Sequence, residues 1–157
     1  MRGLTWMAGL SLAVASGARA ADSARTPLTA EVLWQVQRLA SPAVSPDGRW
    51  VAVAVTTYEV KDDKGLTDLW LWSADGTMQR ALTTHPASDS SPLISPDGRI
   101  LAFVSQRNGD TAPQVYVLPL AGGEPSRVTN VPTGVGQIKW FPDGRRIAFV
   151  SRVWADL

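Results

Sequence analysis

The chain has 157 residues, 45% of them hydrophobic and 18% charged, the balance of a chain that folds around a core and not of a disordered tail. Its 15 lysines and arginines face 14 acidic residues with no basic run, which argues against nucleic acid as a partner. Cysteine is absent, so disulfides, thiolate metal sites and a cysteine nucleophile are excluded.

The first twenty residues read as a secretory signal peptide. Arg2 supplies the positive start, Leu4 to Val14 is a short apolar core, and Ala18-Arg19-Ala20 has the small-x-small pattern of a cleavage site. Eleven apolar residues are too few to cross a bilayer, which takes about 20, so no membrane segment is expected after cleavage. The mature protein would then lie in the periplasm or outside the cell. Residues 21–40 form an N-terminal segment. Within it, Thr29 to Ala40 places Val32, Leu33, Val36, Leu39 and Ala40 near one side of a helix, with Thr29 as N-cap and Ser41-Pro42 as its end.

From Ser41 onward the pattern changes to short strands and turns. Ser45-Pro46-Asp47-Gly48 and Ser95-Pro96-Asp97-Gly98 each suit a type I turn, and Phe141-Pro142-Asp143-Gly144 repeats them without the serine hydroxyl. Each corner leads into an apolar run: Trp50 to Val55, Ile100 to Val104 and Ile147 to Val150. Runs without polar alternation predict strands covered on both faces. Leu69 to Trp72 and Val115 to Leu118 give a further strand in two of the copies, followed by glycine turns and a short element ending at Thr83 or Thr129.

The spacing is regular. Trp70 to Tyr116, Gly76 to Gly122, Thr83 to Thr129 and Pro96 to Pro142 are each 46 residues, whereas Pro46 to Pro96 is 50. The four extra residues are placed in the polar stretch Glu59 to Gly65, as a lengthened hairpin loop. A period of this size with about four strands per unit predicts an all-β, partial β-propeller of four-stranded antiparallel blades, because such a sheet needs neighbours on both faces. The incomplete propeller is expected over residues 41–157, with blades at about 41–83, 91–129 and 137–157: two full blades and the start of a third.

The corners, Asp68 to Trp72 (DLWLW), Thr84 to Pro92 (THPASDSSP) and the stretch Val128 to Leu157 together resemble the N-terminal propeller of bacterial prolyl oligopeptidase-family serine peptidases, particularly acylaminoacyl-peptidase and dipeptidyl-peptidase-like members. The resemblance covers residues 27–157. It implies a C-terminal α/β-hydrolase domain with a Ser-Asp-His triad as partner, short peptides as substrates, and a propeller that restricts their access. The alternative is a non-enzymatic, TolB-like periplasmic propeller acting in protein–protein binding, since Tol-system propellers share the corner motif.

Nothing in the chain supplies chemistry of its own. No G-x-S-x-G nucleophile elbow is present, and His85, the only histidine, lies in a proline- and serine-rich stretch without a triad around it. No catalytic, cofactor-binding or metal-binding residue is therefore assigned. Asp62-Asp63-Lys64-Gly65 and Asn108-Gly109-Asp110 lack calcium-loop spacing and read as turns. Asp47, Asp97 and Asp143 belong to the corners. Trp70 and Trp72 share one strand face and read as blade packing in preference to a stacking platform. Gly122-Gly123-Glu124 reads as a hairpin turn and not as a dinucleotide fingerprint.

Overall fold

The computed structural model describes residues 27–59 and 61–154; the expected signal at 1–20 lies outside them. A first antiparallel sheet contains β1 (Arg38–Val44), β2 (Trp50–Glu59), β3 (Lys64–Ser73) and β4 (Gln79–Ala81) in chain order. A second repeats the arrangement with β5 (Asp89–Ile94), β6 (Ile100–Ser105), β7 (Gln114–Pro119) and β8 (Ser126–Arg127). A third sheet pairs β9 (Ile138–Trp140) with β10 (Ile147–Phe149). The protein is all-β, with open, propeller-like blades.

The three corners are the turns joining β1 to β2, β5 to β6, and β9 to β10. Gly48, Gly98 and Gly144 donate their N–H groups to Ser45 O, Ser95 O and Phe141 O at 2.9, 2.8 and 3.0 Å. Their φ angles are +70, +71 and +63°, a region that penalises any side chain, which is why glycine recurs there. Ser45 Oγ donates to Asp47 Oδ1 at 2.6 Å and accepts the Trp50 N–H at 2.9 Å; Ser95 repeats both bonds with Asp97 and Ile100. Phe141 has no hydroxyl for this purpose, and the Arg146 guanidinium instead lies 4.5 Å from its ring centre.

The core is the seam between the first two sheets. Ala52, Ala54, Leu69 and Leu71 of one face pack with Leu101, Phe103, Tyr116 and Leu118 of the other. Each large side chain sealed there contributes about 1.5–3 kcal/mol. The opposite face of the second sheet, including Ile100, Val115 and Val117, looks across a cleft of about 370 Å³ at Trp140, Ile147 and Phe149 of the third. The run Ile100 to Val104 thus has the two-sided cover it implies, whereas Phe149 and Val150 of the third run are 42 and 60% exposed. Side-chain bonds cross the seams: among them the Trp140 indole N–H reaches Leu93 O at 3.1 Å, and Arg80 donates to Leu120 O.

Three expectations need correction. The helix α1 runs only from Ala30 to Gln35, capped as foreseen by Thr29, and Leu39 and Ala40 belong to β1. Six residues make too few internal bonds to hold a longer helix, whereas Arg38 to Ala40 gain a ladder opposite Thr56 to Ala54. Leu33, Val36 and Leu39 of that apolar side are 57, 50 and 54% exposed. Ser41-Pro42 is not a helix stop. It sits in a bulge of β1, with Ser41 at φ +51°, and Ser91-Pro92 forms the matching bulge of β5 at φ +54°. Finally, the four extra residues do not lengthen a loop. They extend β2 and β3 to 10 residues each, against 6 in β6 and β7, with paired residues up to Glu59 opposite Lys64.

Candidate functional site

An open groove of about 740 Å³ lies between the second sheet and the segment leading into β9, walled by Ser88, Ser90, Ser105, Gln106, Gly136 and Gln137. The bulge in β5 shapes one wall. There the register jumps from Ser90 opposite Val104 to Leu93 opposite Ala102, and Pro92 has no N–H to give to a ladder. The loop after β6 shapes the other wall, and a buried polar assembly fixes that loop. Arg107 follows β6 with its side chain 5% exposed and binds both oxygens of Asp89, which is fully buried. Its Nε donates to Ser105 Oγ at 3.0 Å, and its guanidinium carbon lies 5.2 and 5.3 Å from the rings of Phe103 and Tyr116.

The same loop turns through Asn108 and Gly109, both at positive φ, and returns with Asp110. Tyr116 donates its hydroxyl to Asp110 Oδ2 at 2.6 Å, and Arg127 pairs with Oδ1 at 2.5 Å. The Tyr116 hydroxyl, foremost, and the arginine hold the Asp110 carboxyl below its ordinary range. Conversely, burial and the Asp110 carboxylate push Tyr116 up to about 12. Asn108-Gly109-Asp110 is a turn, as read from its residues, but Asp110 is more than a turn former.

The remaining candidates lie apart. His85 sits between β4 and β5, where its Nδ1 accepts the Ala87 N–H at 3.0 Å. Asp62 and Asp63 form the tight turn between β2 and β3, Asp63 at φ +47°. Asp47 and Asp97 serve their corners, and the neighbouring serine hydroxyls are the foremost reason their carboxyls lie below the ordinary range. Trp70 and Trp72 alternate with Leu69 and Leu71, so they occupy the face of the first sheet that points away from the core seam, half-buried beside Val53 and Val51. Among the described residues no three of His, Asp and Glu gather as metal ligands.

The groove and its anchoring pair were not visible in the sequence. Asp89 and Arg107 are 18 residues apart, and no periodicity links them. The bulge did leave a signal, because Ser41-Pro42 and Ser91-Pro92 stand at the same 50-residue spacing as their corners.

Residues 65–155 match the family of Tricorn protease N-terminal beta propeller domains. The chain belongs to this family. A similar protein is the "Uncharacterized peptidase YuxL" of Bacillus subtilis, 32% identical over 120 residues that cover 76% of this chain and 18% of that protein. Another is a "Protein TolB homolog" of Chlorobium luteolum, 37% identical over 87 residues, 55% of this chain and 19% of that one. Among solved structures, Pyrococcus horikoshii acylaminoacyl peptidase superposes with a TM-score of 0.62 at 23% identity, covering 76% of this chain and 18% of that one, a likeness of fold. The chain spans about a fifth of the length of each. It is a propeller domain of the kind found in peptidase-family proteins, and TolB-like proteins share it.

Proposed function

We propose that this chain is part of a propeller that gates short peptides to the α/β-hydrolase domain of an exported prolyl oligopeptidase-like serine peptidase. The family match, with a peptidase among the relatives, carries the reading. The chain's own residues supply walls, not chemistry. Hydroxyl and amide side chains line the groove beside β5, and groups of this kind can meet a peptide backbone without demanding a sequence. The rigid Arg107 anchor keeps the loop wall in place. Peptide hydrolysis itself falls to a serine triad outside these residues.

The signal read at residues 1–20 supports export, and no helix among the described residues is long and apolar enough to cross a membrane. A second reading, a TolB-like module that binds proteins, is favoured by the 37% identity to the Chlorobium protein.

The test uses the 157-residue chain and the product of the longest reading frame that contains it. Both are assayed on dipeptidyl and acyl-aminoacyl p-nitroanilides and on a folded protein. The longer product is expected to cleave the short substrates and spare the protein, while the 157-residue chain is inert. Turnover by the short chain overturns the reading. A longer frame with further blades and no G-x-S-x-G favours the binding module.

A further inference from the structure

The repeat places Asp68 and Gln114 at the same blade position, 46 residues apart. Gln114 stitches β7 to the linker beyond β8. Its Oε1 accepts from the Thr129 hydroxyl at 2.8 Å and the Val131 N–H at 2.9 Å, and its Nε2 donates to Val131 O at 2.8 Å and Ala112 O at 3.2 Å. Thr83 stands where Thr129 does, and each threonine Oγ1 accepts the N–H of the residue after the Asp or Gln, at 2.9 Å. Asp68 therefore occupies a socket whose twin holds an amide, a group that both gives and accepts hydrogen bonds. A carboxylate only accepts. Accordingly, Asp68 Oδ1 is buried without a hydrogen-bond partner.

We propose that Asp68 is held as a neutral carboxylic acid in the folded protein, its hydroxyl taking the donor role of the Gln114 amide, and that its ionisation loosens the linker between the first and second sheets. Burial comes first among the influences that favour the protonated form, and the Asp89 carboxylate comes second. The Thr83 hydroxyl and Arg107 act in the opposite sense and do not prevail. Val55 faces Asp68 across β2 and brings no charge. The linker's one titratable side chain, His85, is engaged with the Ala87 N–H.

The sign follows directly. A carboxyl raised in the folded state adds stability below its ordinary value of 3.8, and that stability is lost as pH rises through the folded value. This trend is opposite to that of the corner aspartates.

Two measurements on the full-length protein decide it. With 13C-labelled aspartate, one Cγ resonance is expected to keep the position of a neutral acid to higher pH than the other aspartates and to vanish in Asp68→Asn. If no aspartate titrates above the ordinary range, the proposal fails. Asp68→Asn supplies the amide outright. It is expected to raise Tm by about 2–4 °C at pH 8, with the gain disappearing near pH 4. A loss of Tm that is the same at both pH values also overturns the proposal, because it marks an ordinary ionised aspartate.

Discussion

Removing the Asp89 carboxylate tests whether the pair it forms with Arg107 holds the groove wall. Asp89→Ala strands a guanidinium whose side chain is 5% exposed, while the rings of Phe103 and Tyr116 still cover it. Breaking a buried pair from one side costs about 3–5 kcal/mol, because the remaining charge stays out of water without compensation. For a domain of this size that corresponds to a fall in Tm on the order of 10 °C. Arg107→Met should cost less, since it leaves a single carboxylate that can take up a proton. The double change Asp89→Leu/Arg107→Met removes both charges and should recover most of the loss. Thermal unfolding gives the global effect. Hydrogen exchange of residues 100–119 gives the local one, with β6 and β7 losing protection first in Asp89→Ala. A cost below about 1 kcal/mol for both single variants, the worth of a solvent-exposed pair, would refute the argument.

Other outcomes follow from single observations. Gly98→Ala should cost about 1–2 kcal/mol by urea denaturation, and Gly98→Asn less: the added Cβ clears Pro46 Cδ at 3.9 Å, so the penalty comes from φ +71° alone. Tyr116→Phe should cost about 1 kcal/mol through the hydroxyl it takes from Asp110. The Tyr116 phenol favours folding while neutral. Ultraviolet titration should show that contribution intact below pH 10.0 and lost as pH rises through about 12. Leu39 and Val44 on one side and Phe149, Val150 and Trp154 on the other are 42–82% exposed. The 157-residue chain alone should therefore bind a hydrophobic dye and self-associate, as apolar patches of this kind do; a sharp monomeric unfolding transition would contradict this.

The residues alone determined the architecture, because each corner is local chemistry. Serine, proline, aspartate and glycine favour a turn whatever surrounds them, and an apolar run after each turn favours a strand that seeks cover on both sides. Recurrence at 46 residues then made blades of the strands. What the sequence left open depended on partners distant along the chain. Whether Leu39 continued a helix or joined a sheet was settled by Val55 lying opposite it. The four extra residues became strand and not loop because Thr56 and Thr67 face each other closely enough for their hydroxyls to bond at 2.8 Å. The groove wall needed Asp89 and Arg107 to meet across 18 residues, and the contrast between Asp68 and Gln114 appears only once each lies in its socket. Local conformational preference is written residue by residue. Burial, which decides what a charge or a polar atom is worth, exists only when the sheets have come together.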